Sequence, residues 1–446
     1  MSYDLLIVGG GVTGAGAARD AALRGLKVAL VERGEPGGAT TAASTHLIHG
    51  GVRYLLYDRL TTHATCWDSG HIVRTAGDLL RRLPIVWPVY RGHSRGLETV
   101  ETLLEEYDRF QPMKYGRAHL RLTPEACARI VPGLSTQGLL GGLAFDEWWV
   151  DAKALAERTL DSARRAGAQA FVGENADELL REGARVVGAR AGGRQLRARI
   201  TLNAAGPWAG RVARLAGAEV PLRLMKGTHL IWKDPALTPV GLLLEAVDRG
   251  RYVFVVPSPL GTWVGPTDLP GPDDPDLART APEEIDYLDR SVRRYFPAWP
   301  KPHDATIVGS RPLLGQPGAE KLLSRDFEVF DHENRDGVPG LITVAGGKMS
   351  DYRVMAEAAV DAACARLGLT ARSTTAQTTL DGLPVGSIPD WPKPSAALKH
   401  FLRERPRLRE LHALAHLGAA FAGHLARRAR GASAAADADE FRRRYA

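Results

Sequence analysis

The start of the chain alternates between apolar runs and small-residue segments in a pattern typical of a βαβ unit. Residues 3–8 (Tyr-Asp-Leu-Leu-Ile-Val) form an apolar run short enough for a buried strand. Glycine-rich residues 9–14 predict a turn, and the Ala-rich stretch 14–25 predicts a tightly packed helix. Residues 27–32 predict a second strand, so the three pieces make one compact unit.

Later segments predict more strands and a second kind of sheet. Residues 199–205 and 341–345 have the pattern of further strands of the first sheet, and a helix is predicted near 351–367. Residues 222–232 and 251–257 predict antiparallel strands instead. We therefore expect an α/β protein whose first domain is discontinuous, because a sheet domain is inserted into it.

The expected domain boundaries follow from this alternation. The nucleotide-binding domain is predicted to comprise residues 1–75, 145–218 and 325–370, and the inserted domain residues 76–144 and 219–324. Residues 371–395 are rich in Thr, Pro and Gly and predict a linker. Residues 396–446 predict a short, basic, helical C-terminal extension.

Composition is that of an ordinary globular protein. Of the 446 residues, 44% are hydrophobic and 24% are charged, which is enough for two or three domains. Cys66, Cys127 and Cys364 are far apart and form no C-x-x-C pair, so we expect free thiols in a reducing compartment. No signal peptide or spanning apolar run is evident, which favours a cytoplasmic protein or one bound to a membrane surface.

The excess positive charge is confined to the end of the chain. Residues 391–446 contain twelve Lys and Arg but five Asp and Glu, which accounts for the whole net charge of +7. Such a tail suits an anionic surface, and we expect the inner face of the cell membrane, and no nucleic acid, as the partner. A merely solvated basic helix has the same composition, so that alternative stays open.

Three glycines stand where a dinucleotide cradle needs them. In Gly9-x-Gly11-x-x-Gly14, the first permits a tight turn, the second lets backbone approach a pyrophosphate, and the third lets helix and strand pack closely. The phosphates would face unpaired N–H groups at the helix N-terminus. Glu32, which ends the second strand, can accept hydrogen bonds from the adenosine ribose and would repel a 2′-phosphate.

The loop that follows this strand favours FAD over NAD. Residues 37–54 are small and rich in hydroxyl groups, so they could wrap a long extended cofactor. Thr40 and Ser44 are candidates for contacts with phosphate or flavin. A polar surface loop is the alternative, but such a loop rarely carries the sequence Leu-Ile-His-Gly-Gly of residues 47–51.

Nine blocks of the chain, in order, support a more specific interpretation. They are residues 39–55, 145–155, 203–208, 226–229, 251–257, 265–268, 310–313, 324–326 and 346–353. With these blocks the chain resembles the FAD-dependent glycerol-3-phosphate dehydrogenases, within the wider D-amino-acid-oxidase-like group of flavoproteins. The resemblance covers roughly residues 3–367.

The resemblance implies both a fold and a reaction. The fold is a Rossmann-like FAD-binding domain whose non-covalent flavin is capped by the inserted substrate domain. The reaction oxidises sn-glycerol 3-phosphate to dihydroxyacetone phosphate and passes electrons to membrane quinone or another acceptor such as oxygen. A homodimer is compatible with it. The alternatives are a related flavin enzyme for another hydroxy or amino substrate, and a non-catalytic flavin-binding protein.

The implied reaction needs a phosphate clamp, a proton acceptor and stabilisation of a developing alkoxide. Cations, preferably Arg, suit the clamp. His229 is the expected general base, and Arg311 is expected to hold the substrate oxygen; which of them dominates proton removal stays open. The positions that match the family's clamp are Arg53, Tyr54, Arg325 and Lys348.

Further residues are expected beside the flavin. His49 suits a flavin contact or, equally, a structural hydrogen bond. Gly206 follows one predicted strand, and Gly346 and Gly347 end another, where backbone amides could stabilise negative charge on the reduced flavin. The sequence shows no metal-binding constellation.

Three departures from the family pattern bear on the substrate. His46 stands where the family usually has Lys, Ser350 and Asp351 replace Thr-Thr, and Pro266 replaces Thr. Asp351 adds negative charge near the clamp, although it is also placed to cap the following helix. These changes leave flavin binding intact but loosen the assignment of glycerol 3-phosphate. The C-terminal region is also shorter than the family's helical domain.

Overall fold

Two sheets, each assembled from separate stretches of chain, form the computed structural model, which describes residues 2–234, 236–300, 302–315, 326–387, 391–430 and 435–445. The strands are β1 (Ser2–Val8), β2 (Val28–Glu32), β3 (Leu47–Ile48), β4 (Leu80–Tyr90), β5 (Leu120–Leu122), β6 (Leu139–Val150), β7 (Gln169–Val172), β8 (Ala176–Glu182), β9 (Arg185–Ala191), β10 (Arg194–Asn203), β11 (Leu222–Trp232), β12 (Gly241–Glu245), β13 (Tyr252–Ser258), β14 (Gly261–Gly265), β15 (Leu269–Pro270), β16 (Ala305–Leu314), β17 (Phe327–Asp331) and β18 (Leu341–Gly346). The helices are α1 (Val12–Leu23), α2 (Arg59–Thr75), α3 (Leu97–Asp108), α4 (Pro124–Ile130), α5 (Ala152–Arg165), α6 (Ala209–Arg214), α7 (Pro282–Arg293), α8 (His332–Asp336), α9 (Tyr352–Leu367), α10 (Ala396–Arg403), α11 (Pro406–Ala429) and α12 (Ala438–Tyr445).

The first sheet is the predicted nucleotide-binding layer. Its order is β17-β18-β10-β1-β2-β7, and the strands from β18 to β7 are parallel. β17 and the β8–β9 hairpin pair antiparallel at its margins. The strands predicted at 199–205 and 341–345 therefore join the N-terminal βαβ unit, as expected.

Small side chains explain how closely α1 packs on this sheet. Ala15, Ala17, Ala18 and Ala21 are all fully buried, and they share one core with Leu5 of β1 and with residues of α5 and α9. A helix that is buried on most of its surface has few positions for polar residues, and small side chains let it pack closely, which fits the Ala-rich sequence. α1 begins just after the carboxyl end of β1, so its N-terminus lies at the carboxyl edge of the sheet.

The second sheet is the predicted inserted layer. Its order is β15-β11-β14-β13-β12-β4-β6-β3, with β16 paired to β11 and β5 paired to β6. All described pairs are antiparallel except β4 with β12. The prediction of an inserted, antiparallel sheet is confirmed.

One predicted boundary between the two layers differs from the structure. The sequence division at 144/145 falls inside β6, which pairs with β4 along its whole length, from Leu139 to Val150. The chain returns to the first layer at Asp151, whose side chain caps α5. β3, within the segment assigned to the first domain, also pairs with β6. The division at 324/325 lies outside the described residues.

The segment predicted as a linker is anchored where the structure describes it. Arg19 of α1 donates hydrogen bonds to the carbonyl oxygens of Thr378 and Thr379, at 2.6 and 2.9 Å. Leu380 is almost fully buried. Residues 371–387 therefore form a strap across the first layer.

Where it is described, the C-terminal extension contains three helices, α10 to α12. α11 packs on α3, where His424 lies within hydrogen-bond distance of Glu98 and Glu105. α12 buries Phe441 and Tyr445 in the core of the second layer. Of the helices in the described ranges, none combines the length and the apolar character that crossing a membrane requires.

Candidate active site

The carboxyl ends of the parallel strands border a cavity of about 900 Å³. The first sheet contributes Val8 and Glu32, at the ends of β1 and β2, and the segments 204–206 and 345–347 beside the ends of β10 and β18. Ligands of open parallel sheets bind at this edge. The second sheet closes the cavity from above with side chains that include His229, Phe254 and Arg311.

The glycine turn forms one wall of the cavity. Gly9 has a φ of +108°, and a Cβ there would lie 2.6 Å from the carbonyl oxygen of Ala204. Gly11 caps α1 without a side chain and lines the cavity. A Cβ on Gly14 would overlap the carbonyl oxygen of Gly9, so Gly14 lets α1 pack against the turn. The first glycine thus permits the tight turn, the second leaves backbone open to a phosphate, and the third lets the helix pack against the turn.

Two side chains hold this turn by accepting hydrogen bonds from its backbone. Glu32 accepts from the N–H groups of Gly10 and Gly34, at 2.6 and 2.8 Å. The hydroxyl of Thr41 accepts from the N–H of Val12 at 3.2 Å. Carboxylate oxygens have more than one acceptor site, so Glu32 can still accept from a ribose hydroxyl.

The hydroxyl-rich loop ties the two layers together along the cavity. Thr40 donates a hydrogen bond to the carbonyl oxygen of Ser310 in β16, at 2.8 Å. Ser44 lies 3.9 Å from the sulfur of Met349. Both residues line the cavity, and their contact with a cofactor stays a prediction.

Glycines at the ends of β10 and β18 border the same cavity. Gly206, Gly346 and Gly347 have φ values of +53°, +82° and +74°. The N–H of Gly347 donates to the carbonyl oxygen of Asp326 at 2.9 Å. That amide is engaged within the protein, which differs from the expectation that it would face the flavin.

His229 lies at the second-layer side of the cavity and is 2% exposed. Its Nε2 is 3.1 Å from the hydroxyl of Thr45, and its Nδ1 is enclosed, with no hydrogen-bond partner among the described residues. Burial, together with the positive charge of Arg311 and the nearby His46, lowers the pKa of His229 to about 3. The imidazole is therefore neutral at physiological pH.

Arg311 is brought into the cavity by strand pairing. It stands opposite Met225 in the antiparallel β11–β16 pair. Its guanidinium donates to the Asp268 carboxylate at 2.6 Å and to the Thr267 carbonyl oxygen at 2.8 Å. A Cβ on Gly227 would overlap this guanidinium, so the glycine makes room for it.

Three of the four predicted clamp residues line the cavity together. Arg53 lies 5.9 Å from the ring centroid of Tyr252, and the ammonium of Lys348 lies 5.4 Å from the ring centroid of Tyr54. In both contacts a cation packs against an aromatic face, which is a favourable interaction. Arg325 lies outside the described residues.

His49 also lines the cavity, at the turn between β3 and the clamp. Its backbone N–H donates to the hydroxyl of Ser350 at 2.9 Å. Its ring centroid lies 6.4 Å from that of Tyr54. The side chain is thus placed between the glycine-lined half of the cavity and the cations.

Comparison with known proteins decides the family. The FAD dependent oxidoreductase family model matches residues 4–356. Glycerol-3-phosphate dehydrogenase of Synechocystis sp. is 31% identical over 395 residues, which are 81% of this chain and 69% of that protein. The chain belongs to the FAD-dependent glycerol-3-phosphate dehydrogenase family. The Mycobacterium leprae glycerol-3-phosphate dehydrogenase is 33% identical, and its match covers 81% of this chain but 63% of the relative, so the chain spans less than two thirds of that relative's length.

A solved structure supports the fold. The glycerol-3-phosphate dehydrogenase of Bacillus halodurans complexed with FAD has a TM-score of 0.67 and 24% sequence identity, and the match covers 96% of this chain and 80% of that one. The architecture predicted from the sequence, a Rossmann-like domain with an inserted sheet domain, is therefore confirmed.

The cavity suits the cofactor of this family. Gly9 and Gly14 have no room for a Cβ against the backbone of Ala204 and of Gly9, so the turn is tight, and Gly11 leaves the N-terminus of α1 open; Glu32 lines the cavity at the end of β2. The same cavity continues to His49 and Lys348, as an extended dinucleotide requires. These residues would hold FAD.

The three departures from the family pattern have distinct environments. His46 is buried, and its Nδ1 accepts from the N–H of Ala152 at 3.1 Å. Pro266 lines the cavity after a cis Gly265–Pro266 bond. Asp351 makes no side-chain capping bond to α9 within the described residues, which corrects that expectation; its carboxylate pairs with the ammonium of Lys348 at 2.7 Å.

Sequence reasoning missed several residues of the cavity wall. Thr41 and Thr45 lie in the loop that was singled out, but the sequence could not show which hydroxyls point inward. Glu147 and Asp268 lie in two of the matching blocks and line the cavity as well. Acidic residues inside those blocks were the available signal.

A separate cluster of possible metal ligands lies between α3 and α11. Among the described residues, the ligand atoms of Glu98, Glu101 and His424 are within 4.8 Å of one another. Arg121 bonds to both carboxylates and supplies their positive charge. These ion pairs anchor α11 to α3.

Proposed function

We propose that the protein oxidises sn-glycerol 3-phosphate to dihydroxyacetone phosphate, with FAD bound along the N-terminus of α1. One observation carries the proposal: a single cavity runs from the glycine turn to His229, Arg311 and Lys348. A dinucleotide held by its pyrophosphate at the turn would present its other end to these side chains. FAD, when bound, supplies the acceptor for a hydride from the substrate carbon.

In this proposal His229 accepts the proton of the substrate hydroxyl. Since Nδ1 is enclosed, the proton must reach Nε2, the nitrogen beside Thr45. The tautomer that carries its proton on Nδ1 leaves Nε2 to accept, first from the Thr45 hydroxyl and then from the substrate. A bound phosphate dianion adds negative charge and raises the pKa of His229 from its low value in the free protein.

The other polar side chains of the cavity hold the substrate's reacting oxygen and its phosphate. Arg311 holds the substrate oxygen and stabilises the negative charge that develops there as the proton leaves. Arg53, Tyr54 and Lys348 hold the phosphate, because cations and a phenolic hydroxyl match its oxygens. We include Arg325 in this clamp on the strength of the matching block alone.

Anaerobic mixing with sn-glycerol 3-phosphate tests the proposal. The oxidised flavin absorbance should bleach rapidly, and His229→Asn should slow bleaching by about 10²-fold or more because the general base is lost. The His303→Asn variant is a control, because His303 stands in the second layer beside Trp232. Wild-type protein that binds FAD but is not bleached by this substrate would contradict the assignment.

A second candidate is favoured by one feature of the cavity. Arg311 and Lys348 are each paired with a carboxylate, Asp268 and Asp351, which reduces the positive charge offered to a substrate. This suits a substrate with one carboxylate, such as a hydroxy or amino acid, better than a phosphate dianion. Bleaching by such an acid and not by glycerol 3-phosphate would select it. A flavin that no alcohol or amine bleaches would indicate a non-catalytic protein.

We propose further that α11 docks on an anionic membrane. Residues 411–426 contain no Asp, Glu, Lys or Arg, and Leu411, Leu414, Phe421 and Leu425 are 60, 56, 40 and 49% exposed. Arginines flank this apolar face at both ends of α11, at positions 405 and 407 and again at 427, 428 and 430. An apolar face between basic ends suits a helix lying in the interface of anionic lipids. There the reduced protein would meet a quinone.

Vesicle sedimentation tests this docking. Wild-type protein should bind vesicles containing anionic lipid, and binding should weaken with salt. Leu411→Glu with Leu414→Glu should abolish binding, whereas Leu277→Glu, at an exposed leucine of the second layer, should not. Unchanged binding of the double variant would exclude α11. A dimer that the double substitution converts to monomers would instead assign the face to a second copy of the chain.

The electron acceptor is tested on the same vesicles. Substrate-reduced protein should be reoxidised faster on vesicles that contain a quinone than on vesicles without it. Reoxidation that depends on oxygen alone, with hydrogen peroxide formed in proportion to substrate consumed, would identify an oxidase.

A further inference from the structure

A chain of three buried polar side chains lies behind the turn that carries His49. The N–H of Gly50 donates to the hydroxyl oxygen of Tyr107 at 2.9 Å, and Tyr107 donates to the Glu147 carboxylate at 2.6 Å. The other oxygen of Glu147 pairs with the ammonium of Lys114. Lys114 also donates to the carbonyl oxygen of Asp146 at 2.7 Å. The turn is therefore hydrogen-bonded, step by step, to a buried ion pair.

This chain leaves the turn little freedom. A Cβ on Gly50 would overlap both the sulfur of Cys66 and the hydroxyl of Tyr107, so the backbone lies directly against them. The N–H of the preceding residue, His49, is held from the other layer by Ser350. Gly51 follows with a φ of +77°, and the chain then enters the segment that carries Arg53. Two successive amides are thus fixed from opposite sides.

Burying the Lys114–Glu147 ion pair carries a large desolvation cost. Lys114 and Tyr107 are fully buried and Glu147 nearly so. Burial raises the pKa of Glu147 even though Lys114 opposes the rise, and burial together with the Glu147 charge raises the pKa of Tyr107. A buried ion pair is often no more stabilising than apolar residues of similar volume. Its location against a wall of the cavity, which Glu147 itself lines, indicates a role in the site.

We propose that Tyr107, Glu147 and Lys114 are positioning residues that set the His49–Gly51 turn between the flavin and the phosphate clamp. The inference rests on the proposed function, because it assigns these residues to the same site. Glu147 accepts the Tyr107 proton and so keeps the hydroxyl oxygen turned as an acceptor toward Gly50, and Lys114 holds the other oxygen of Glu147 in place. The position of this turn then determines where His49 and Arg53 lie. None of the three needs to touch the substrate.

The Tyr107→Phe variant tests the inference against a matched control. Loss of the hydroxyl leaves the Gly50 amide buried without its acceptor and frees the turn to shift. The limiting rate of anaerobic flavin reduction, per flavin bound, should fall by about 10-fold or more, since small misplacements in a site have effects of this size. Tyr295→Phe is the control, because Tyr295 is equally buried and donates at 2.7 Å to a carbonyl oxygen in the second-layer core.

Each variant loses a hydroxyl that makes two buried hydrogen bonds, so both should lose similar thermal stability. Only Tyr107→Phe should lose rate, and FAD affinity should stay within about 3-fold of wild type in both because the cradle is untouched. Equal limiting rates in the two variants would overturn the inference and leave Tyr107 a structural residue.

Amide hydrogen exchange on the holoprotein provides a second measurement, which needs no substrate. The peptide containing Gly50 should be strongly protected, and in Tyr107→Phe it should exchange faster while the peptide containing Gly9 does not change. Rapid exchange at Gly50 in the wild type would overturn the inference. Because exchange requires no substrate, this result stands whether or not glycerol 3-phosphate bleaches the flavin, so the two failures are distinguishable.

Discussion

The hydroxyl of Thr45 lies 3.1 Å from Nε2 of His229, across the boundary between the hydroxyl-rich loop and β11. The other ring nitrogen is enclosed and has no partner within the described residues. Thr45 is therefore the contact that orients the imidazole. No feature of either local sequence indicates the pairing, since the residues are 184 positions apart.

Substitution of Thr45 should separate orientation from packing. Thr45→Val keeps the shape and removes the hydroxyl, so the rate of flavin reduction by substrate should fall by about 10-fold as the base loses its orienting bond. Thr45→Ser keeps the hydroxyl and should retain most of the rate. Stopped-flow absorbance at saturating substrate measures both. Equal rates for the Val and Ser variants would show that the hydroxyl does not matter.

The Lys348–Asp351 pair predicts a gain of affinity on substitution. Burial alone would lower the pKa of Lys348, but the Asp351 carboxylate outweighs it and raises the pKa, so the lysine stays charged. The same carboxylate repels a bound phosphate. In Asp351→Asn the dissociation constant for glycerol 3-phosphate should fall by roughly 3- to 10-fold, because a nearby like charge is removed.

The concentration dependence of anaerobic flavin reduction measures this constant. Asp161→Asn removes an exposed carboxylate on α5, paired with Arg164, and serves as the control for net charge. It should leave the dissociation constant unchanged. A larger dissociation constant in Asp351→Asn would mean that Asp351 supports the clamp by keeping Lys348 charged rather than opposing the phosphate.

The parts of the fold that the sequence predicted are those whose determinants are local. The glycine turn, α1 and Glu32 are encoded within one short unit, so spacing alone places them. The boundary at 144/145 differs from the structure because β6 runs through it and pairs with β4, a partner about 60 positions away. No sequence rule reports that partner.

The candidate site shows the same division. His229 and Arg311 were found as members of matching blocks, but their partners Thr45 and Asp268 come from other strands and loops. The buried pairing of Glu147 with Lys114 joins β6 to a short turn after α3. Such contacts are set by strand register and loop path, which depend on tertiary packing rather than on local pattern.

The glycine turn predicts a variant that loses the cofactor. In Gly14→Ala the new methyl group would overlap the Gly9 carbonyl oxygen, so α1 must move away from the turn. Purified protein should retain little flavin, and its FAD dissociation constant should rise by about 10-fold or more because the cradle is displaced. Gly77→Ala is the control, since a Cβ there meets no atom within 4 Å. Yellow, fully loaded Gly14→Ala protein would contradict the role assigned to this glycine.

His71 predicts how stability depends on pH. It lies in α2 with its ring centroid 4.4 Å from that of Trp67, and burial, reinforced by Arg353 and Arg74, lowers its pKa to about 4. In the unfolded chain a histidine has a pKa of about 6.5. Between these two values the unfolded state binds a proton that the folded state does not, so stability falls as pH falls from about 6.5 toward 4. Above about 6.5 both states are neutral and His71 contributes no pH dependence.

At pH 5 this linkage amounts to about 2 kcal/mol for His71. His71→Gln removes it, so the unfolding free energy of the variant, measured by urea denaturation, should fall less between pH 7 and pH 5 than that of the wild type. Some dependence should remain, because the pKa values of buried His46 and His229 are lowered as well. His400→Gln, at a largely exposed histidine of α10, should keep the wild-type dependence. If His71→Gln loses as much stability as the wild type over this range, His71 is protonated in the folded protein and the low pKa is wrong.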